Sequence, residues 1–336
     1  MCRIGGYIGG HLTTKKTSIL LRALLMAEEK GNPHGAGIVV RNSATKKAFI
    51  QKKRFRGRDF LVQGYGDFLW RTAYDRAFIH VRYMTSGEQS DRCAHPFGFR
   101  VNGKWHFAMH NGVFSGSICE AITEKFGCSK AQVDSETFFW ALQELQNKGK
   151  SLEEAIKEVT EFVSADSEFA FAYMNHEGVI YLWRSEGRPL SVFDLREIGM
   201  GRWFASTKAM FEEAIKMSGV RVDKVSYFEI KPFRLYKVGH RTEPELEVEP
   251  ICDLPRKQKP MPEPVADTLF PPSEWERMLD ARRKAEAELG FDYGYDFEDP
   301  VNLTYRQLVN KIKKIKKDID KGIWDWEIDE YLTMLE

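Results

Sequence analysis

AFAYMN (Ala170–Asn175) and VIYLW (Val179–Trp183) are two short β-rich runs joined by His176-Glu177-Gly178. A glycine-containing break of that length between two apolar runs is the signature of a β-hairpin, so the chain is expected to build antiparallel rather than parallel sheet. Further runs of the same kind lie outward from it on both sides, at Trp203–Ala205, Trp105–His110, Ala77–Val81, Ala48–Gln51, Gly37–Val40 and Arg3–Ile8. Each is short and bounded by Gly, Asn or charged turns, which again favours antiparallel pairing.

Helical periodicity appears at three places. Ile19, Leu20, Ala23, Leu24 and Ala27 share one face, with Gly31 expected as the C-terminal cap. Asp134–Gln146 and Ser151–Val163 form a second and third helix, separated by Lys148-Gly149-Lys150. Strands and helices in this arrangement predict an α+β fold of sheets covered by helices.

After Val248 the texture changes. Pro250, Pro255, Pro260, Pro262, Pro264, Pro271 and Pro272 cluster with Lys and Glu, which predicts an extended linker over 250–272. Ser273 with Glu276, and Thr304 with Gln307, then carry the capping-box spacing, so 273–336 reads as a small helical tail. Its last helix has Leu308, Ile312, Ile315 and Ile319 on one stripe among five lysines, a pattern expected of a helix packed on its own domain or docking a partner. Residues 1–249 are left as the main domain.

The 336 residues are 43% hydrophobic with a formal net charge of +1, enough for a sizeable core and without the excess charge that marks a nucleic-acid or membrane-surface partner. No apolar run is long enough for a membrane span and the N-terminus lacks the pattern of a secretory signal, so a cytoplasmic location is expected. The five cysteines are scattered and form no CxxC pair. Cys93 with His95, His106 and His110 fits no common zinc spacing, so neither metal nor other cofactor is expected.

Cys2 is a candidate for chemistry, although a cysteine at that position taken by itself is more often a small buried hydrophobe. Once Met1 is removed by the usual processing of chains with a small second residue, Cys2 bears a free α-amine. Such an amine titrates near about 7.7–8.0 and can take the proton of its own thiol, directly or through one water. Nucleophile and base then reside in one residue.

Met1-Cys2-Arg3-Ile4-Gly5-Gly6 resembles the opening of the class II glutamine amidotransferases, and the later motifs follow in that family's order. Gly31-Asn32-Pro33-His34-Gly35-Ala36-Gly37-Ile38 is similar to "RGPDGAGI", His80–Gly87 to "HTRYATHG", and Ala94-His95-Pro96 to "AHP". His110-Asn111-Gly112 matches "HNG", and Val133–Glu136 stands in the place of "TDTE". Arg184–Leu190 and Ala205–Ala209 resemble "RDPxGxRPL" and "ASExKAL". The likeness covers most of residues 1–245 and none of the tail. Arg3 stands in place of a common Gly, Gly31, Asn32 and His34 replace Arg, Gly and Asp, and Ser86 replaces a frequent His.

The resemblance implies a four-layer αββα sandwich of the N-terminal-nucleophile hydrolase type, with the tail as an α-helical appendage. It implies L-glutamine as substrate, Cys2 as nucleophile, a γ-glutamyl thioester, and Asn111 with Gly112 as the oxyanion hole. Arg82 would fork the α-carboxylate of glutamine, Asp134 would hold its ammonium, and Thr85 and Ser86 would shape the pocket. His95 is expected to order a loop. Nothing after Pro250 resembles a known ammonia-acceptor domain and no Gly-rich phosphate loop occurs there, so the acceptor is expected to be a separate synthetase or ligase. A γ-glutamyl amide hydrolase of the same fold and a catalytically idle partner-binding protein are the alternatives, separated by substrate choice and by retention of Met1.

Overall fold

A computed structural model describes residues 2–9, 15–29, 32, 34–85, 87–127, 131–163, 167–222, 224–238 and 247–256. Met1, the Gly31 cap, Ser86, most of the expected linker and the whole helical tail lie outside the described residues. In chain order the elements are β1 (Arg3–Ile8), α1 (Lys15–Glu28), β2 (Gly35–Arg41), β3 (Ala48–Lys53), α2 (Gly57–Val62), β4 (Arg76–Arg82), β5 (Phe97–Val101), β6 (Lys104–Gly112), α3 (Gly116–Phe126), α4 (Asp134–Asn147), α5 (Leu152–Thr160), β7 (Phe169–Met174), β8 (Ile180–Arg184), β9 (Ser191–Asp194), β10 (Arg202–Ala205), α6 (Lys208–Ser218), β11 (Ser226–Glu229), β12 (Arg234–Val238) and β13 (Val248–Asp253).

The strands form two antiparallel sheets, one in the order β11-β9-β10-β1-β4-β2-β3 and one in the order β13-β12-β8-β7-β6-β5. The hairpin expected at 170–183 is β7 paired with β8, turning at Gly178 with φ +85°. Alternation along the strands assigns the layers, because successive side chains point to opposite faces. In β7, Phe169, Phe171 and Tyr173 pack with Phe138 and Phe139 of α4, whereas Ala170, Ala172 and Met174 pack with Ile4, Ile8, Val39 and Phe78 of the other sheet. In β1, Tyr7 meets Leu20 and Leu24 of α1 while Ile4 and Ile8 face the second sheet. The result is the expected αββα stack, with helices on both outer faces and a dry core between the sheets. Among the described residues no helix is long and apolar enough to cross a membrane.

Three helices and five strands go beyond the periodic runs in the sequence: α2, α3, α6, β5, β9, β11, β12 and β13. The expected linker start at Pro250 falls inside β13, where Pro250 sits opposite Tyr236 beside a register shift between Leu235 and Tyr236. Proline lacks the N–H that a central strand needs, yet an edge strand with a bulge accommodates it. Ser151, read from the sequence as the first residue of the third helix, caps α5 as a full capping box with Glu154.

Two tight points fix β1. A side chain on Gly6 would intrude on the Ala77 carbonyl oxygen and the Phe204 ring, so only glycine lets β1 lie between β10 and β4 at this depth. At the end of α1, the buried Glu28 carboxylate accepts from Ser206 N at 3.1 Å, and the Ser206 hydroxyl accepts from Ile4 N at 2.9 Å and donates to Ile4 O at 3.1 Å. Burial pushes the Glu28 carboxyl up to about 8, against the pull of the Ser206 backbone and of Arg3.

Gly6→Ala is expected to cost about 1–3 kcal/mol or more of stability, read from the urea midpoint, because the obstacle is backbone. Glu28 behaves in the opposite sense to most carboxylates. The folded chain keeps its proton at pH values where the unfolded chain, titrating near 4.5, has lost it, so native stability falls as pH rises from there to about 8. Glu28→Gln is therefore expected to stabilise the fold by on the order of 1–3 kcal/mol at pH 7, with a gain that grows between pH 5 and pH 8 in paired denaturation curves.

Candidate active site

Strand parity gathers the site. Cys2 immediately precedes β1 and shares parity with Ile4 and Ile8, which face the inter-sheet core. β4 runs antiparallel to β1 with Arg3 opposite Val81, so Cys2 arrives beside Arg82, which follows Phe78 and His80 on the inward face of β4. From the other sheet, β6 presents Phe107, Met109 and Asn111 with the same parity toward that core. The two sheets thus bring their functional side chains to one end of the sandwich.

A cleft of about 240 Å³, its mouth included, opens there, lined by Cys2, Arg82, Tyr83, Thr85, His95, His110, Gly112, Val133, Asp134 and Ser135. Of the side chains expected from the sequence, Cys2, Arg82, Thr85, Gly112 and Asp134 line it together. Asn111 lies in the chain between two of its lining residues, and Ser86 is outside the described residues.

The Cys2 thiol is buried and donates to Tyr83 O at 3.2 Å, while Tyr83 N–H points back at the sulfur from 3.3 Å. Burial pushes this thiol up to about 11. The Tyr83 backbone bond, the α-amino group and Arg82 oppose that rise, and Asp134 adds to it. The Cys2 side chain is therefore a neutral thiol at neutral pH. Arg82 is 3% exposed and donates from Nη1 to Glu88 O at 2.8 Å, which fixes the guanidinium in the wall.

Asn111, between the lining residues His110 and Gly112, is 4% exposed, and its Oδ1 has no hydrogen-bond partner among the described residues. Gly112 pairs with Phe169 across the ladder, and a Cβ on it would intrude on the Glu168 carbonyl oxygen and on Phe169 Cα. Only glycine therefore fits at this point of the cleft lining. Asp134 begins α4, with Oδ2 accepting from Phe114 N at 2.8 Å. A carboxylate in the first turn is favoured by the helix dipole. Its position matches an N-terminal role only partly, since the cap residue itself is Val133.

Three histidines are buried around the site. His80 Nε2 lies 3.0 Å from His110 O, the His80 and His95 rings stack with centroids 4.1 Å apart, and His110 Nδ1 lies 2.9 Å from Ser135 Oγ. Burial pushes His80 down to about 3 and His110 to about 4, and carries His95 well below its ordinary value, so all three are neutral. His95 lines the cleft wall itself, a place the sequence did not indicate for it. The imagined grouping of Cys93, His95, His106 and His110 disperses to separate partners: Cys93 Sγ points at Gln132 Oε1 from 3.7 Å and His106 Nδ1 sits 2.6 Å from Tyr173 OH. Among the described residues no three His, Cys, Asp or Glu side chains are grouped to hold a metal ion.

Four lining residues escape the sequence reading: Tyr83, His110, Val133 and Ser135. Tyr83 works through its backbone, which leaves no residue-type signal, while the other three flank assigned motif residues and could have been found from that adjacency.

Residues 70–215 match the family model for class-II glutamine amidotransferases. Among solved structures, the glutamine phosphoribosylpyrophosphate amidotransferase from B. subtilis, complexed with ADP and GMP, superposes with a TM-score of 0.57 at 18% identity, covering 75% of this chain and 49% of that one. The structure described as the allosteric regulatory enzyme of purine biosynthesis gives 0.54 at 21% identity, covering 71% and 47%. The likeness at these identities is one of fold, and the chain spans about half the length of each of these structures. No curated protein sequence matches it.

Proposed function

We propose that this chain, whose residues 70–215 belong to the class II glutamine amidotransferases, hydrolyses L-glutamine to glutamate and ammonia through a γ-glutamyl thioester on Cys2. The observation that carries the reading is the shared cleft, whose lining brings a thiol, a buried guanidinium and a carboxylate together. Free glutamine offers one carboxylate, one ammonium and one side-chain amide; Arg82 supplies the cation and Asp134 the anion that select the first two. The amide is then left against Cys2.

Removal of Met1 puts the α-amine on Cys2. The amine takes the thiol proton as Sγ bonds to the amide carbon, and the carbonyl oxygen becomes an oxyanion that Asn111 Nδ2 and Gly112 N–H stabilise. The protonated amine passes its proton to the amide nitrogen, the C–N bond breaks and ammonia leaves. Water then adds to the thioester carbon with the amine as base, and C–S cleavage returns the thiol and releases glutamate. The high affinity of the resting thiol for its proton makes the adjacent base necessary at neutral pH.

Thr85 shapes the pocket from the Arg82 segment, with Ser86 as its neighbour in that role. The proposal includes delivery of the released ammonia to an acceptor enzyme that is a separate synthetase or ligase.

Purified protein is expected to release ammonia and glutamate from L-glutamine in equal amounts, and Cys2→Ala to release neither; release that persists in Cys2→Ala overturns the assignment. Asn111→Ala is expected to lower kcat by roughly 10²–10³-fold with little change in KM, the signature of a donor that acts in the transition state.

A further inference from the structure

His34 occupies the position where the sequence departs most plainly from the motif it otherwise resembles, a ring in place of a carboxylate. It lies in the segment just before β2, whose first residue Gly35 pairs with Arg82. The His34 backbone N–H donates to Arg82 O at 3.2 Å, and its Nδ1 lies 2.9 Å from Met84 N. One residue therefore grips both neighbours of Tyr83, and its ring meets the Tyr83 ring edge-on at 5.2 Å. Tyr83 is the residue whose N–H and C=O both face the Cys2 sulfur.

We propose that His34 is a positioning residue whose neutral ring clamps the Arg82–Met84 segment against the Cys2 thiol, so that the site is assembled only while His34 is uncharged. Met84 N–H is a donor, so Nδ1 must accept, and the neutral ring carries its proton on Nε2. An imidazolium has a proton on both nitrogens. It cannot accept from Met84, and it would place N–H against N–H at the segment that supports both the nucleophile and the guanidinium.

Among the described residues the charged group that faces His34 is the Arg82 guanidinium, with the Tyr83 ring beside it. Burial first, then the positive charges of Arg82 and of the amino terminus, hold His34 below its ordinary value of 6.5, so the clamp is engaged at neutral pH. The sign is that of a histidine with a depressed folded value: its contribution is complete above about 6.5 and is lost as pH falls through the folded value. The kinetic consequence rests on Cys2 being the nucleophile proposed above, whereas the clamp itself does not.

His34→Asn tests this directly, because an Asn Oδ1 can accept from Met84 N–H without titrating in this range. The rate of Cys2 alkylation by iodoacetamide falls with acid in every variant as thiolate is lost, so the informative quantity is the ratio of wild type to His34→Asn. That ratio is expected to drop roughly three- to tenfold between pH 7.5 and pH 5, the worth of one hydrogen bond, and ammonia release from glutamine should show the same divergence. A ratio that stays flat overturns the proposal. Nitrogen-15 spectra of histidine-labelled wild type provide a second reading that requires no variant: His34 is expected with Nε2 protonated and Nδ1 bare at pH 7.5, and a protonated Nδ1 there overturns the clamp. A ratio that drops in alkylation while no variant releases ammonia would keep the clamp and remove the glutaminase reading.

Discussion

Every central strand of this fold is buried on both faces, one against a helix layer and one against the opposing sheet, and the remaining features follow from that double burial. A strand in such a position has no face for water, so its sequence is apolar almost throughout and its polar residues are pushed to its ends. Ile4, Ile8, Phe78, Met109 and Ala170 fill the space between the sheets, and the chemistry starts where that apolar layer stops. Cys2, Arg82 and Asn111 continue the inward-facing parity of β1, β4 and β6 past the last hydrophobic residue. The cleft is thus the frayed end of the core, held open by side chains that keep the geometry of the strands they extend.

The same burial decides the electrical character of the site. His80, His95 and His110 are stripped of water and stay neutral, and the thiol holds its proton tightly. Against that background Arg82 and Asp134 are the charges that a substrate entering the cleft would meet at its wall. In a poorly hydrated pocket each is felt more strongly than in water. Glu28 is the exception that shows the cost: a carboxylate carried into the fold to tie α1 to Ser206 and β1 keeps its proton well above the usual range.

Much of this was legible in the sequence, for reasons that differ by element. β1, β4, β6, β7 and β8 could be read because doubly buried strands are continuous apolar runs, and α1, α4 and α5 because each presents a periodic stripe to a sheet. β9, β11 and β12 are four or five residues long and interrupted by charge, and β13 contains a proline, so their pairing depends on neighbours supplied from elsewhere in the chain. α3 and α6 have few buried residues and are specified as much by the Ser115 and Thr207 caps as by a stripe. In the cleft, Cys2 and Arg82 are visible as residue types at motif positions. The Tyr83 backbone, the Ser206 bridge and the grip of His34 are not, because each is a relation between residues distant in the chain.

The proline in β13 has a consequence for how the sheet meets its surroundings. An outermost strand exposes a row of backbone donors and acceptors that any passing extended segment can zip onto, which is the first step of uncontrolled self-association. Pro250 removes one donor from that row at mid-strand, and Glu249 and Asp253 place carboxylates on either side of the gap. Both carboxylates are paired with cations of β12, Glu249 with Lys237 and Asp253 with Arg234, so the interruption at this margin comes from the proline and the register shift beside it.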